Sequence, residues 1–408
     1  MWISSVPFPV GMASTERIKA LALGLVGAGV RVCVIGTRPP DYRGQSGKQP
    51  PSCQWHGVRY VNTSGFSSPP SSPAMRALGR LIGTAGALRL LLALSAARGR
   101  SCAYVYTSSV TPLLSSYVLI ALLRMLAIPV VLEMNEAPWP LRNPTNPLWT
   151  RLSPLFGVSG VVAISTYLQD WVHEVSSMRG NPLPTIRVPI LVVEDAPIRE
   201  MALADPPQVL LAVGAGYESS VEYVMDAMTH VWQRHPECRL VITGGSGQVG
   251  TTSPPGDADR RDNIRFAGVL SWDALVSEYA QSAALLAPLF EDTISRARFP
   301  TKIGEYLMSG RPVVISPVGD APLYLEPAVS AFVAASTSAA DFAKCIVEIL
   351  ENPAMANAVG LRGRETARAE FSCRRHGPRL AAFLRALVDQ SVGAHVPTND
   401  ASSPDVIG

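Results

Sequence analysis

Apolar and polar positions in the first half of the chain alternate between short apolar runs and longer segments with helical periodicity. In segment 13–30, Ile18, Leu21 and Leu25 fall on one face of a helix that begins at Ser14 to Arg17. Further helices are predicted at 75–97 and 117–126, and strands at 31–38, 57–62, 104–106, 130–133 and 161–164. Alternating units of this length predict an α/β fold with a parallel, doubly wound sheet.

The second half repeats the same alternation. Apolar runs predict strands at 209–213, 239–243, 263–267, 283–288 and 313–315, and periodic segments predict helices at 219–235, 272–282, 301–308, 339–350 and 352–371. A Pro-rich segment separates the halves. We therefore expect two Rossmann-like domains facing across a cleft, at 1–190 and 208–390, joined by a linker at 191–207 and followed by a disordered tail at 391–408.

The stretch FPTKIGEYLMSGRPVVISPVGDAPLY, residues 299–324, contains the strongest candidate chemistry. Pro300 suits the first turn of a helix, Gly310 ends it, and a Gly-Asp loop follows the next strand at its carboxyl end, where parallel sheets bind ligands. Lys302 and Glu305 are three residues apart, at a helix start that favours anions. This arrangement suits a ligand with phosphate and hydroxyl groups, although a solvated surface ion pair is the alternative.

The pattern P-x-K-x-x-E-Y-L-x-x-G-R-P-V-V, with Gly-Asp after it, resembles the donor-site signature of retaining GT-B glycosyltransferases of the glycosyl transferases group 1 superfamily, family 4-like. The resemblance is strongest over residues 205–385. It implies an N-terminal acceptor domain and a C-terminal nucleotide-sugar donor domain. It also implies that Glu305 holds the ribose hydroxyls and that the helix start faces the diphosphate.

The expected donor-binding residues combine this signature with glycine turns that let a ligand approach the backbone. They are Arg296, Arg298, Phe299, Thr301, Lys302, Glu305, Gly216, Gly244 and Gly245. The sequence departs from the family twice. The basic pair usual after the first strand of the second domain is missing at 216–221, and Ala297 stands where the family has an acid. Arg296, Arg298 and Lys302 could compensate, with Lys302 the first choice.

In the first domain, Asn135 and Glu136 follow strand 130–133, where the family often has a His contacting the donor sugar. An amide can hydrogen-bond a sugar hydroxyl, and Glu136 could accept the acceptor's proton, so both are the catalytic candidates. An Asx turn beside an exposed acid is the alternative. Gly11 is the only glycine in the first βα turn, and a single glycine there disfavours an NAD-type site. The family resemblance implies instead that this turn, with Gly11, is a loop at the cleft.

Charge is distributed unequally. Residues 1–200 carry 18 Lys and Arg against 9 Asp and Glu, whereas residues 201–408 carry 17 against 23. No acid lies between Asp41 and Glu133, and five arginines lie between Arg76 and Arg100. This basic segment lacks the interspersed aromatic side chains that are typical of a nucleic-acid-binding surface. The expected partner is therefore an anionic membrane surface and not nucleic acid. Packing of these helices on the first sheet, with the arginines in water, is the alternative.

Scattered cysteines, and Met1 to Ser5 leading straight into a first strand, predict a cytoplasmic protein, peripheral on the inner face of the membrane if the lipid expectation holds. No metal-ligand spacing or DxD motif occurs, so we expect no cofactor and no metal, only a nucleotide sugar as donor substrate. The predicted function is transfer of a sugar to a lipid-linked, polysaccharide or other glycan acceptor, with retention. The alternatives are a degenerate paralogue that binds nucleotide or a partner protein, and a sugar-nucleotide epimerase.

Overall fold

The first half of the chain forms an eight-stranded sheet in a computed structural model that describes residues 2–4, 6–11, 13–39, 52–95, 101–106, 114–145, 154–194, 201–214, 218–245 and 262–393. Its strands are β1 (Trp2–Ser4), β2 (Cys33–Gly36), β3 (Ser52–Trp55), β4 (Val58–Asn62), β5 (Ala103–Tyr106), β6 (Val130–Met134), β7 (Gly160–Ala163) and β8 (Thr185–Arg187). Their order is β3-β4-β2-β1-β5-β6-β7-β8, and only β3 runs antiparallel to its neighbour. The helices are α1 (Ala13–Gly27), α2 (Pro73–Ser95), α3 (Leu114–Met125), α4 (Trp139–Arg142) and α5 (Thr166–Met178).

The second half forms a six-stranded, fully parallel sheet. Its strands are β9 (Gln208–Val213), β10 (Arg239–Gly244), β11 (Ile264–Gly268), β12 (Ala284–Ala287), β13 (Val313–Ile315) and β14 (Phe332–Val333), in the order β11-β10-β9-β12-β13-β14. The helices are α6 (Glu218–Val231), α7 (Trp272–Gln281), α8 (Thr293–Ala297), α9 (Thr301–Ser309), α10 (Ala339–Glu351), α11 (Pro353–Glu370) and α12 (Cys373–Gly393).

Both faces of the second sheet are buried, which explains why its strands read as continuous apolar runs. Successive residues of β9 point to opposite faces: Leu210 packs with Tyr279 and Ile303, whereas Leu211 packs in a separate cluster with Met225 and Phe342. Helices α7 and α9 therefore cover one face, and α6 and α10 cover the other. The start of α9 is thus placed beside the carboxyl ends of β9 and β12.

Helix α12 returns to the first half of the chain, which differs from the assignment of 208–390 to the second domain. Leu380 and Leu384 of α12 share a hydrophobic cluster with Ile18 and Leu21 of α1. The predicted helix at 352–371 ends near Glu370, but the chain continues as a helix through Pro378 to Gly393. The disordered-tail prediction for residues beyond Gly393 lies outside the described residues.

The two domains pack directly on each other through apolar and polar contacts. One hydrophobic cluster includes Leu168 of α5 together with Ile303 of α9. Ser165 caps α5 by accepting a hydrogen bond from the backbone N–H of Leu168 at 3.3 Å, and its hydroxyl donates to the carbonyl of Ala297 at 2.7 Å. The cleft is therefore bounded on one side by an interdomain contact at the start of α5.

All six cysteines are free thiols. Burial raises the pKa of Cys238 and of Cys373 to about 12, so neither thiol forms the reactive thiolate near neutral pH. Over the described part of the chain, no group of three His, Cys, Asp or Glu side chains is arranged to hold a metal ion. Within the same ranges, every helix is too short or too polar to cross a bilayer.

Candidate functional site

Helix α9 is fixed at the edge of the second sheet by its own side chains. Tyr306 is fully buried, and its hydroxyl accepts a hydrogen bond from the backbone N–H of Ala212, on β9, at 2.9 Å. Pro300 precedes the helix without a side-chain cap, so the first-turn N–H groups are not used by a capping side chain. The start of α9 therefore presents backbone donors and a positive dipole end beside the central strands.

An interdomain cavity lies on one side of this helix start. We call it the interdomain cavity because residues of both domains line it. The lining includes Thr301 and Glu305 of α9, Trp272 and Tyr279 of α7, and Glu16 and Arg17 of α1. The Tyr279 hydroxyl donates to Glu305 Oε2 at 3.3 Å. The pKa of Glu305 is raised to about 7, first by burial and then by the negative charge of Glu16 across the cleft. The cavity thus contains a carboxylate able to accept hydrogen bonds from hydroxyl groups.

A sheet-edge cavity lies on the other side, at the carboxyl ends of β9 and β12. Its lining includes Ser219 and Ser220 at the start of α6, the segment 287–290, Arg298 and Lys302. Two cationic side chains and three serines, with Ser295 the third, thus surround one cavity at the ends of parallel strands, and the one acid in its lining, Asp292, caps α8 by accepting from the backbone N–H of Ser295 at 2.7 Å. This combination fits an anion such as a diphosphate.

Lys302 is held in place by a hydrogen bond from its Nζ to the carbonyl of Ala212. The pKa of Lys302 is lowered to about 8, first by burial, with the Arg298 charge acting in the same direction and Glu305 opposing both. Arg298 Nε donates to the carbonyl of Ile294 at 3.3 Å, which anchors the guanidinium above α8. Because this pKa lies near neutral pH, an anion that binds beside Lys302 stabilises the charged form of its amine.

The structure separates two residues that the sequence predicted to act from one helix face. Thr301 and Glu305, four residues apart, line the interdomain cavity, whereas Lys302 lines the sheet-edge cavity. The first turn of α9 thus stands between a carboxylate side and a cationic side. A ligand with hydroxyls at one end and phosphates at the other would cross this turn.

Two predicted donor-binding side chains are corrected by the structure. Phe299 is only 1% exposed and packs on Tyr324 and Phe371, at ring-centroid distances of 5.8 and 5.5 Å, so its side chain belongs to the core. Arg296 points to the surface, where it pairs with Glu291 at 2.6 Å. Both residues are close to α9 in sequence, but neither side chain lines one of the two cavities.

The glycine predictions are not brought to either cavity. Gly11, Gly244 and Gly245 are not among the described residues that line the interdomain cavity or the sheet-edge cavity. Gly244 has a φ of +87°, and a Cβ there would lie 1.9 Å from the carbonyl oxygen of Val213, so its place at the end of β10 requires glycine. Gly216 lies outside the described residues, and its role stays a prediction.

Asn135 and Glu136 follow β6 as predicted. The Asn135 amide donates to the hydroxyl of Tyr106, which orients it. Glu136 Oε2 accepts from Arg142 at 3.0 Å and lies 3.9 Å from Arg298 Nε. Glu136 therefore joins the first domain to the sheet-edge cavity, while its proton-accepting role stays a prediction.

A buried ion pair positions this strand end. Arg17 Nε donates to Glu133 Oε1 at 2.5 Å, and the guanidinium also donates to the carbonyls of Val188 and Pro189 at 2.9 and 2.7 Å. The Tyr104 hydroxyl donates to the other oxygen of Glu133. Because all of these partners are buried, α1, β6 and the segment after β8 are tied together near the end of β6 that precedes Asn135.

Ala297 and Asp320 stand at positions where the sequence signature would place ligand-contacting residues. In this chain both residues make structural contacts instead. Ala297 is fully buried, and its carbonyl receives the Ser165 hydroxyl. Asp320, in the predicted Gly-Asp loop, accepts from the backbone N–H of Thr166 at 2.9 Å and lies 3.5 Å from Arg187. The loop at the carboxyl end of β13 therefore contacts the first domain, and its acid is used at the start of α5.

Sequence reasoning missed three residues that act on the predicted ones: Tyr279, Tyr106 and Arg142. Tyr279 had a detectable signal, since its spacing from Trp272 and Val276 places all three on one face of α7, and that face lines the interdomain cavity. The partners of Asn135 and Glu136 had no such signal. Tyr106 lies on another strand, and Arg142 lies six residues beyond Glu136, at the end of the short helix α4.

Comparisons with known proteins agree with this geometry. Residues 207–352, which contain α9 and the sheet-edge cavity, match the family model described as Glycosyl transferases group 1. No curated protein matches the chain in sequence. The resemblance found in the α9 signature is therefore confirmed over residues 207–352, which have the sequence of a group 1 glycosyltransferase domain.

Several solved structures share the whole fold at low sequence identity. Sucrose-phosphate synthase from Thermosynechococcus elongatus has a TM-score of 0.69 at 18% identity, covering 95% of this chain and 98% of that one. An α,α-trehalose-phosphate synthase (UDP-forming) from Burkholderia vietnamiensis has a TM-score of 0.61 at 14% identity, covering 96% and 99%. HepE from Anabaena, in complex with UDP and glucose, has a TM-score of 0.60 at 14% identity, covering 94% and 98%. The fold is GT-B, with two Rossmann-like domains.

Proposed function

We propose that this chain transfers a sugar from a nucleotide-sugar donor to a glycan, polysaccharide or lipid-linked acceptor, with retention and without a metal ion. The observation that carries the proposal is the pair of cavities on either side of the α9 start, one with Glu305 and the other with Arg298 and Lys302. Their spacing along one helix turn matches the order of ribose and diphosphate in a sugar nucleotide.

Glu305 is the proposed ribose ligand. Its carboxylate can accept from two adjacent hydroxyls at once, while Tyr279 donates to one of its oxygens from the opposite side. Uridine diphosphate is the first nucleotide to test, because HepE was solved with UDP and glucose, and the trehalose-phosphate synthase is described as UDP-forming.

Arg298 and Lys302 are the proposed diphosphate ligands. Negative charge grows on the leaving diphosphate as the bond to the sugar breaks, and cations already in position stabilise that charge without reorganisation. They replace the basic pair that is missing after β9, while Ser219 and Ser220 add hydroxyl donors. The same two cations support the proposal that no metal is needed, and activity should persist in a chelator such as EDTA.

Asn135 is the proposed ligand of a hydroxyl on the transferred sugar. Its amide is oriented by Tyr106 and cannot act as an acid or base. The acceptor's proton would pass to the donor's own phosphate oxygen, the route that the family resemblance implies for retention. Glu136, held between Arg142 and Arg298, would keep Arg298 aimed at the diphosphate.

Nucleotide binding should have a narrow pH optimum. The pKa of Glu305 is raised to about 7, so its ionised, hydroxyl-accepting form is gained as pH rises through about 7. The pKa of Lys302 is lowered to about 8, so its charged form is lost as pH rises through about 8. The affinity for UDP, measured calorimetrically, should therefore be greatest between these values. Glu305→Gln should remove the decline on the acid side and keep the alkaline one, and a flat profile for the wild type would contradict the assignment.

Binding of nucleotide without turnover is the second candidate function. It is favoured by Ala297, whose buried position leaves no room for the acid that the family places there, and by the two arginines that engage Glu136. Such a protein would bind a nucleotide through the same cavities and would form no product.

A labelled-donor assay tests the proposed function. The purified chain is incubated with a panel of radiolabelled sugar nucleotides and EDTA, with and without membranes and soluble glycans. Transfer of label together with release of nucleoside diphosphate is the expected result. Tight binding with neither transfer nor release, for every donor, would support the second candidate, and isomerised donor without acceptor would indicate an epimerase. Arg298→Gln is the matched inactive control.

A further inference from the structure

The loop after β2 contains a half-buried arginine that faces a second arginine. Arg38 lies just beyond the carboxyl end of β2, where parallel sheets bind ligands. In the part of the chain that the structure describes, no carboxylate and no hydrogen bond acts on its guanidinium. Burial, and then the positive charge of Arg80 on α2, lower the pKa of Arg38. A partly desolvated cation that faces a second cation destabilises the free protein, and a bound anion would remove that cost.

Helix α2 is held against this loop by close backbone contacts. A Cβ on Gly83 of α2 would lie 2.2 Å from the carbonyl oxygen of Thr37, so the helix approaches the loop as closely as glycine allows. Thr63, directly after β4, donates from its hydroxyl to the carbonyl of Gly83 at 2.7 Å and from its backbone N–H to the carbonyl of Gly36 at 2.9 Å. Arg80 precedes Gly83 by three residues, so its side chain leaves the helix on the side that meets the loop. The packing of α2 on the ends of β2 and β4 therefore holds the two arginines together.

The chemistry of the arginine pair favours a phosphate as its ligand. Each guanidinium presents a planar fork of N–H donors that binds phosphate oxygens in pairs. A phosphate monoester carries a charge of about −1.5 to −2 near pH 7, so one such group neutralises both arginines, whereas a carboxylate neutralises only one. The sequence contains no acid between Asp41 and Glu133, so that segment supplies no counter-ion of its own.

The arginine pair lies at the same sheet edge as a residue proposed for the reaction. Strands β2, β1, β5 and β6 are parallel neighbours in that order, so their carboxyl ends lie in one row. Asn135 follows β6, three strand spacings from the end of β2, which is about 14 Å. The donor's diphosphate is assigned to Arg298 and Lys302 of the second domain. The arginine pair, in the first domain, is therefore available to the other substrate.

We propose that Arg38 and Arg80 form a binding site for a phosphate group on the acceptor. The phosphate would be held at the end of β2, and the acceptor would extend along the sheet edge towards Asn135, so that its reacting hydroxyl is remote from the phosphate. A phosphorylated sugar and a glycan on a lipid phosphate both present this chemistry. The identification of the ligand as the acceptor rests on the proposed function, whereas binding of phosphate at this site requires neither a donor nor transfer.

Calorimetric titration of the full chain with small phosphates tests the site. Arg298→Gln with Lys302→Met is the parent variant, because the cations of the sheet-edge cavity could bind the same ligands. At constant ionic strength, inorganic phosphate and glucose 6-phosphate should bind to the parent, and glucose should bind more weakly than glucose 6-phosphate. Adding Arg38→Gln or Arg80→Gln should weaken the binding of both phosphates roughly tenfold, as expected for charged hydrogen bonds. The titration uses no nucleotide, so a failure of the proposed donor site leaves this test intact.

Thermal unfolding of the chain with its own Arg298 and Lys302 gives a second readout. Phosphate should raise the Tm above its value in chloride at the same ionic strength. Arg38→Gln should raise the Tm in the absence of phosphate, because it removes the repulsion from Arg80, and should lose most of the increase that phosphate gives. Replacing an arginine with a purely structural role would instead lower the Tm and keep that increase.

Arg89→Gln is the matched control. Arg89 is an exposed arginine nine residues after Arg80, about two and a half turns, and therefore on the opposite side of α2. Its replacement should leave phosphate binding unchanged. Equal phosphate affinities for the parent and Arg38→Gln, or an equal loss in Arg89→Gln, would overturn the proposal. Geranyl phosphate separates the two sources: tighter binding than glucose 6-phosphate indicates a lipid-borne phosphate, and weaker binding indicates a sugar phosphate.

Discussion

The double variant Arg298→Gln, Lys302→Met is expected to lose roughly a thousandfold in kcat for sugar transfer, with a smaller rise in KM. Both side chains line the sheet-edge cavity, and the proposed reaction develops its negative charge there. Removing one preorganised donor from such a site costs about a hundredfold to a thousandfold, and the loss is largest in the transition state because the leaving diphosphate carries more charge than the bound donor. Release of UDP, followed at saturating donor, measures the loss.

Arg296→Gln is the control for this experiment. Arg296 lies two residues from Arg298, carries the same charge, and pairs with Glu291 outside the cavity, so its loss should leave kcat nearly unchanged. If the double variant does not fold, Arg298→Gln alone should still lose about a hundredfold. A double variant with wild-type kcat, or a control variant that loses as much, would show that the diphosphate is neutralised elsewhere.

Glu305→Ala should weaken UDP binding by about 1–3 kcal/mol, the cost of removing charged hydrogen bonds to ribose. The side chain lines the interdomain cavity, where Tyr279 leaves its carboxylate able to accept further donors. The loss should appear equally for uridine, since both ligands contain the same ribose. Calorimetric titration of both ligands measures it.

Two controls separate ribose recognition from general damage. Glu291→Ala removes an exposed acid from the same region and should leave the affinity unchanged. A 2′-deoxy nucleotide should bind the wild type more weakly and lose less on the Glu305→Ala change, because one of the two hydrogen bonds is already absent. Equal losses for the ribo and 2′-deoxy ligands would place the nucleotide's ribose away from Glu305.

The sheets and the main helices could be predicted because each depends on local periodicity. The run 209–213 and the helix at 301–308 appear in the structure within a residue or two of the predicted bounds. Helix α12 could not be assigned in this way. Its stability comes from packing on α1, more than 340 residues earlier, and no local pattern indicates that contact.

The candidate site was predictable in its residue types but only partly in its geometry. Glu305 and Lys302 were identified from a helix start, and both line cavities. Their separation onto two sides of α9 depends on how that helix is rotated against β9, which the buried Tyr306 determines through Ala212. Phe299 could not be recognised as a core residue from sequence, since its environment is created by Tyr324 and Phe371.

The interdomain contacts were the least predictable part. Asp320 had the sequence context of a ligand loop, yet its carboxylate accepts from the start of α5. Arg298 and Glu136 lie 162 positions apart in the sequence and meet only because the two domains close on each other. Such contacts depend on the relative placement of two folded units, which is not encoded in the periodicity of either one.

Calorimetric comparison of UDP with uridine on the wild-type chain tests the central claim most directly, that the α9 start separates a ribose side from a diphosphate side. Because Arg298 and Lys302 would contact only the diphosphate, UDP should bind roughly a hundredfold more tightly than uridine. Equal affinities for the two ligands, or no binding of any nucleotide tested, would contradict the proposed donor site.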